Sequence, residues 1–293
     1  MAQIPEIDFT QSTEDIRKQF EKALKQIQSA LRSFLLTDAT RKDLLATEKE
    51  IKRILSDTDK YIDEWSYEAA ESSVEEAIVA TLLLLGLSTT KEKAYESISF
   101  TQTHITYIEY TVELLRTEFK AVTANLERQS RMVLHRAYTD SMKRTTASST
   151  QSRSQSSDST SNSRTNAGLS KTVKQAITDA DVAIIDKAGR RWKTSTYTEM
   201  LANTRLMEAY RETVATEGIA KGNGHAYISF NPKTTDPCKD HQYKIVKLAP
   251  DIESPYPYYR DLNHIWHPNC SHFLIPITSF ENLPSQVKKK NNL

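Results

Sequence analysis

Glycine and proline are distributed very unevenly along this 293-residue chain. Before Gly168 there is one glycine, Gly86, and one proline, Pro5, whereas the other eight prolines all lie from Pro232 onward. Because both residues interrupt helices, a region almost free of them and rich in Ala, Leu, Glu, Lys and Gln predicts long helices. The sequence therefore indicates an α+β fold class, with a long N-terminal helical arm or bundle over residues 1–146 and a small α/β domain after it.

Apolar residues at spacings of three and four predict the helices of the arm. The first helix begins near Ser12 and Thr13, which can cap it, and a second begins after Asp38 and extends to Trp65. A third covers about 72–85, and Gly86 ends it. The apolar stripe of the first helix consists of Ile16, Phe20, Leu24, Ile27, Leu31 and Phe34.

A fourth helical segment runs from about Lys91 to Arg144, and a β-branched patch near 100–106 is where a break is expected. We interpret the stripes as packing within a helical bundle, with docking of part of a stripe on a partner protein as the alternative. The longest apolar run, Ile78 to Leu87, has about half the ~20 residues that span a bilayer, so no membrane segment is predicted. The stripe of the fourth segment consists of Ile105, Ile108, Val112, Leu115, Phe119, Val122 and Leu126.

Residues 147–166 are rich in serine and contain no large apolar side chain, which is typical of a flexible linker. An ordered strap along a partner's surface is the alternative. A small α/β domain is predicted over 167–280, and a frayed basic tail with Lys288–Lys290 over 281–293. The elements expected in the domain are a helix over 172–185, a turn over 186–192, a helix from about Thr194 to Gly218, and strands over 225–230, 243–246 and 273–275.

The formal net charge of +1 is too small to identify a nucleic-acid-binding protein by charge alone. Two cysteines cannot form the disulfide framework of a secreted protein of this length. The first residues lack the basic and apolar regions of a signal peptide, so we expect synthesis in a reducing cytoplasm.

Both cysteines and four of the seven histidines lie between residues 236 and 276. Cys238 and His241 form a C-x2-H pair, and His267 and Cys270 form an H-x2-C pair. Two-residue gaps allow a tight turn to direct both side chains at one ion, so the pattern indicates a structural zinc site; the alternative is a buried cysteine among histidines that bond the backbone. The candidate ligands are Cys238, His241, His267, Cys270 and His272, with His264 as a substitute.

Three segments carry a resemblance to a known family, and they cover roughly residues 180–280. The chain resembles the minor capsid, or head morphogenesis, proteins of tailed bacteriophages that are related to the F protein of phage Mu. Members often have arginine where Ser271 stands and glycine near Tyr243. The segments are 186–192 with 197–200 and 204–206, then 238–246, and then 267–276 with its Asn-Cys-x-His core.

The resemblance implies a virion component without enzymatic activity. Such a protein would lie inside the procapsid with the portal, contact major capsid or scaffold proteins, with packaged DNA as a further candidate partner, and occur in the host cytoplasm during assembly. The sequence leaves two alternatives open, a DNA-binding internal head protein and a metal-dependent nuclease that would use Asp240, Asp261 and Asn263.

A weaker set of candidate contact residues lies outside the cysteine-rich segment. Arg190, Arg191 and Trp192 can contact phosphates or a partner, although such a run also suits a solvated turn. Arg205 lies on a predicted helix, where it can pair with Glu208 or Glu212 or reach the metal-binding loop.

Overall fold

The computed structural model of the chain describes residues 7–35, 40–151, 184–185 and 189–293. Within them the protein is mostly helical, with a long helical N-terminal region and a small C-terminal sheet, which confirms the predicted fold class. The predicted helix over 172–185 lies outside the described residues except for 184–185, which are a strand, and the predicted linker lies outside them except for 147–151, which continue a helix. The helices are α1 (Thr10–Leu35), α2 (Arg41–Leu84), α3 (Lys91–Glu96), α4 (Gln102–Gln151), α5 (Thr194–Ala220) and α6 (Ser285–Lys290).

Helix α1 begins two residues earlier than predicted, because Asp8 rather than Ser12 or Thr13 supplies the cap. The Asp8 carboxylate accepts a hydrogen bond of 2.7 Å from the Thr10 amide. All six residues of the predicted α1 stripe are buried, so the spacing identified the inward face correctly.

The predicted second and third helices are one continuous helix, α2. Ser73 does not cap a new helix, because its hydroxyl donates 2.8 Å to the Leu206 carbonyl of α5. Helix α2 ends as expected at Gly86, which has φ +69°, and the Leu87 amide reaches back 2.8 Å to the Leu82 carbonyl.

The predicted break in the fourth segment is present and separates α3 from α4. The Thr90 hydroxyl accepts from the Lys93 amide at the start of α3. At the start of α4, the Thr101 amide donates to His104 Nδ1 and the Thr101 hydroxyl accepts from the His104 amide. Ile105 is 39% exposed, so the prediction that it belongs to the buried stripe is wrong.

The C-terminal strands form a three-stranded antiparallel sheet in the order β4-β3-β5. Strand β3 (His225–Ile228) lies in the centre, paired with β4 (Ile245–Lys247) and β5 (Leu274–Pro276). Each of these strands either falls within a predicted strand or extends one residue beyond it. A separate two-stranded ladder pairs β1 (Ile184–Ile185), where the end of a helix was expected, with β2 (Arg191–Trp192), where a turn was expected.

The chain forms two compact units that do not follow the predicted boundaries. Among the described residues, the first unit takes in 7–13, 64–116 and 200–293, and the second takes in 14–35, 40–63, 117–151, 184–185 and 189–199. Parts of the predicted 1–146 arm therefore pack with the C-terminal sheet region. The reason is that an apolar stripe specifies a buried face but not the element that covers it.

In the second unit, Phe20 and Phe119 pack with ring centroids 5.7 Å apart, and the Thr123 hydroxyl donates 2.7 Å to the Asp59 carboxylate. In the first unit, Tyr210 of α5 contacts Phe9 and Phe273 edge-on. The apolar core beside the sheet contains Tyr227, Ile245, Ile275, Ile277, Leu283 and Val287.

The predicted frayed tail is instead folded onto this core. Val287 of α6 is fully buried. The Asn291 side chain accepts from the Ile245 amide at 2.9 Å and donates to the Tyr243 carbonyl at 2.8 Å. The prediction missed Val287, just before the lysine run, and Asn291, just after it, which attach the C-terminus to the core and to β4.

Candidate metal centre

The candidate ligands are positioned by two tight turns and the start of a strand. A short 3-10 helix, Pro237–His241, begins after Asp236, whose carboxylate accepts from the Cys238 amide at 2.9 Å. In the second turn, the Cys270 amide donates 3.0 Å to the His267 carbonyl. His272 lies just before β5, so it has the fixed backbone of the sheet beside it.

Cys238, Cys270 and His272 form a buried group whose ligand atoms all lie within 4.8 Å of one another. The two sulfurs are 3.8 Å apart, and Cys270 Sγ is 3.5 Å from His272 Nδ1. With metal–sulfur bonds of 2.3 Å and metal–nitrogen bonds near 2.05 Å, a tetrahedral ion separates two sulfurs by about 3.8 Å and a sulfur from a nitrogen by about 3.5 Å. The group could therefore hold a metal ion with little rearrangement.

The two cysteines are free thiols, and their separation is well above the ~2.05 Å of a disulfide bond. Burial, followed by the neighbouring Cys270 sulfur, raises the pKa of Cys238. Without a metal this thiol keeps its proton, and a bound cation would displace it.

The His272 ring is buried and has contacts at both nitrogens. Nδ1 faces Cys270, whereas Nε2 lies 3.0 Å from Gln242 Nε2 and 3.3 Å from the Thr234 hydroxyl. Burial is the main effect that lowers the pKa of His272, which favours the neutral imidazole that metals bind. When Nδ1 carries an ion, Nε2 carries the proton; the Thr234 oxygen can accept it, and the Gln242 amide has to turn its oxygen rather than its nitrogen toward the ring.

A second group of candidate ligands shares Cys238 with the first. It consists of Asp236, Cys238 and His267, again within 4.8 Å of one another. His267 Nε2 is 3.1 Å from Asp236 Oδ2, and His267 Nδ1 is 2.9 Å from the Pro268 carbonyl oxygen. Both side chains are partly exposed, in contrast to the first group.

The structure brings together four of the five predicted ligands across these two groups, and His241 is the one it does not include. The His241 ring bonds the Asn263 backbone, and burial lowers its pKa, with Lys244 acting in the same direction. Its Nδ1 is buried without a hydrogen-bond partner in the described part of the chain. His264, the predicted substitute, contributes its backbone carbonyl, which accepts from the Cys238 thiol at 3.6 Å.

Helix α5 holds the loop that carries Cys270. The Asn203 side chain donates 2.6 Å to the Asn269 side chain, and the Thr204 hydroxyl accepts from the Asn269 amide at 2.9 Å. Of the contacts predicted for Arg205, the structure shows the ion pair with Glu208, at 2.7 Å. Sequence analysis placed Thr204 on the correct helix without identifying its contact.

Arg211 is a buried cation beside the centre that sequence analysis missed. It donates 3.2 Å to the His272 carbonyl, and its guanidinium lies 4.7 Å from the Trp266 ring centroid. Burial lowers the pKa of Arg211, and negative charge on Cys270 opposes that change most strongly. A thiolate at Cys270 would therefore be stabilised by Arg211.

From the end of the first turn through the second turn, four non-glycine residues have left-handed backbone: Tyr243, His264, Trp266 and Asn269. For a residue as large as tryptophan this conformation costs roughly 1–2 kcal/mol. The Trp266 indole donates 2.8 Å to the Tyr259 carbonyl, and this bond together with the Arg211 contact offsets the cost.

Arg190, Arg191 and Trp192 belong to the other compact unit. The Arg190 guanidinium lies 5.4 Å from the Trp192 ring centroid, and Trp192 packs edge-on against Tyr197 at 6.1 Å. Both arginines are exposed. A contact with nucleic acid or a partner at these residues stays a prediction.

Comparison with protein-family models, curated proteins and solved structures finds no match to this chain. None of the described helices combines the length and the apolar character that crossing a membrane requires.

Proposed function

We propose that this protein is a minor capsid or head morphogenesis protein of a tailed bacteriophage, with its C-terminal region stabilised by a structural zinc ion. It would act inside the procapsid with the portal, in head assembly or in DNA packaging and delivery. Major capsid or scaffold proteins are the further partners that this role implies.

One observation carries the proposal. Part of each of the three segments with the family resemblance lies at the candidate metal centre, namely Thr204 of the first, Cys238 of the second and Cys270 of the third. Tyr243 adds support, because it has φ +64° in the region where members of the family often have glycine. A shared pattern that coincides with one buried site favours a common architectural role.

Zinc is the ion we propose, because buried thiols combined with imidazole are soft ligands that suit it and disfavour Mg²⁺ or Ca²⁺. Between Asp236 and Leu274 the chain has only short elements, so ligand bonds would contribute much of the order of this segment. Asp240 and Asp261, which the nuclease alternative needs, lie outside both ligand groups found among the described residues.

The proposed docking on a portal or capsid partner has support from uncovered apolar residues on the long helices. Leu45, Tyr110 and Met132 are 56–60% exposed. Leu45 belongs to a helix predicted to be apolar on one face, so its exposure leaves part of that face available for a partner.

The first test is metal content. Protein purified without chelators should contain about one zinc per chain, and chelation should lower the melting temperature. Cys270→Ser should lose the zinc, whereas His264→Ala should retain it because only the backbone of His264 contacts the centre. A metal-free wild type whose melting temperature is unchanged by chelation would remove the zinc part of the proposal.

The second test is incorporation into particles. Heads assembled with the wild-type chain or with His264→Ala should contain it, and heads assembled with Cys270→Ser should contain much less. Purified particles that lack the wild-type chain would contradict the virion role, independently of the zinc result.

A further inference from the structure

The buried group of Cys238, Cys270 and His272 supplies three ligand atoms, and a structural zinc ion takes four. The identity of the fourth decides whether the centre is closed, as in structural sites, or has an open position for water or substrate, as in catalytic ones. The fourth ligand proposed here presupposes the proposed zinc centre.

The contacts of His267 determine which of its nitrogens is available to an ion. Nδ1 lies 2.9 Å from the Pro268 carbonyl oxygen. A carbonyl oxygen only accepts hydrogen bonds, so Nδ1 is the donor in this contact and Nε2 is the nitrogen left to bind an ion. Hydrogen bonding of the second ring nitrogen to a backbone carbonyl is a frequent arrangement for metal-binding histidines.

His267 Nε2 is buried and faces the Asp236 carboxylate, with which it forms an ion pair when the ring is protonated. It lies 3.1 Å from Asp236 Oδ2 and within 4.8 Å of Cys238 Sγ. A carboxylate oxygen, an imidazole nitrogen and a sulfur thus face one another, and either a proton on Nε2 or a bound cation stabilises that arrangement.

Asp236 fixes the geometry between the two turns. Its Oδ1 accepts from the Cys238 amide at 2.9 Å, which leaves Oδ2 directed at His267. The Cys270 amide bonds the His267 carbonyl, so the backbone of the second turn is also fixed. The His267 side chain is 38% exposed, which leaves room for its ring to move toward the first group.

We propose that His267 Nε2 is the fourth ligand, so that Cys238, Cys270, His272 and His267 close the coordination shell and Asp236 positions the His267 ring. The ring approaches Cys270 and His272 on binding, because the four ligand atoms do not yet form one group. His241 is the competing candidate, since its Nδ1 is also buried, but it belongs to neither group.

The decisive experiment is Co²⁺ substitution of the full-length chain, followed by absorbance in the thiolate-to-cobalt and d–d regions. Wild type should show two-thiolate charge transfer and an intense tetrahedral d–d band. His267→Cys should gain charge-transfer intensity from a third thiolate. His241→Cys, the matched control, should leave the spectrum unchanged.

Three further variants complete the test. His267→Ala should keep the two-thiolate band, weaken the d–d band and lower cobalt affinity by about tenfold or more, whereas His241→Ala should do neither. Asp236→Asn should reduce affinity while keeping the wild-type band positions, as expected for a positioning residue.

The outcomes separate this inference from the proposed function. A wild-type protein without charge transfer would mean that the zinc centre itself is absent. A wild-type tetrahedral spectrum with gain at His241→Cys and none at His267→Cys would overturn the His267 assignment and leave the zinc centre in place. Because His267→Cys adds a signal, a folding defect cannot imitate the expected result.

Discussion

Replacement of Thr204 by valine tests the link between α5 and the metal-binding loop. The Thr204 hydroxyl accepts 2.9 Å from the Asn269 amide and donates 2.6 Å to the Met200 carbonyl. Valine keeps the shape of the side chain and removes both hydrogen bonds. Asn269 immediately precedes Cys270, so the loss acts on the backbone that places one of the proposed ligands.

The magnitude follows from the surroundings of each bond. An intramolecular hydrogen bond contributes about 1 kcal/mol net, and a buried donor left unpaired costs about 1–3 kcal/mol. Asn269 is exposed, so water can replace the lost acceptor and the lower figure applies. We expect Thr204→Val to lower the free energy of unfolding by about 1 kcal/mol, which is roughly 2–4 °C in melting temperature for a domain of this size.

The assay is thermal unfolding of the zinc-loaded protein at a fixed free zinc concentration, with Thr204→Ser as the matched control. Serine retains the hydroxyl and should recover most of the loss. Equal melting temperatures for Thr204→Val and wild type, or equal losses for serine and valine, would refute the reasoning that the hydroxyl anchors the loop.

Three other predictions concern the first compact unit. Ser73→Ala should destabilise by about 1 kcal/mol in denaturant titrations, because the buried hydroxyl donates to a carbonyl of α5; an unchanged midpoint would contradict this. Val287→Asp should lower the free energy of unfolding by about 3 kcal/mol or more, because it buries an unpaired carboxylate, whereas Val287→Ala should lower it less. An aspartate that leaves stability unchanged would mean that α6 is detached from the core. Glu217 is buried 3.1 Å from His104 and 3.9 Å from Lys221, and the His104 contact is the main effect that lowers the pKa of Glu217. The wild type should therefore be more stable than Glu217→Gln above about pH 4.3, the ordinary pKa of glutamate, and this difference in the free energy of unfolding should disappear as the pH falls below that value. A stability difference that does not depend on pH would exclude the carboxylate as its source.

Local patterns in the sequence predicted much of the helical and strand structure. The stripe from Ile16 to Phe34 is buried throughout because a 3.6-residue period depends only on the helix itself. The stop at Gly86 and the break before Gln102 were also predicted, since capping depends on residues within one turn. The split between the second and third helices was wrong, because Ser73 bonds α5 rather than the start of a helix.

The sequence predicted part of the candidate site, as it predicted part of the helical and strand structure. The spacing of Cys238 and Cys270 within two short motifs indicated a shared ion, and their sulfurs lie 3.8 Å apart. Spacing could not rank the histidines, because each has two nitrogens and either can bond the backbone instead. His272 faces the sulfurs while the His241 ring bonds the Asn263 backbone, and that choice depends on how the two turns meet.

The sequence alone determined that this chain forms long helices, a small sheet and one cluster of thiols and imidazoles, because those properties arise from residues close together in the chain. The tertiary structure decided which helices cover the sheet, that Arg211 lies beside Cys270 and that Val287 is buried. These contacts join residues far apart in the chain, and they depend on the shape and charge of surfaces that form only when the helices pack.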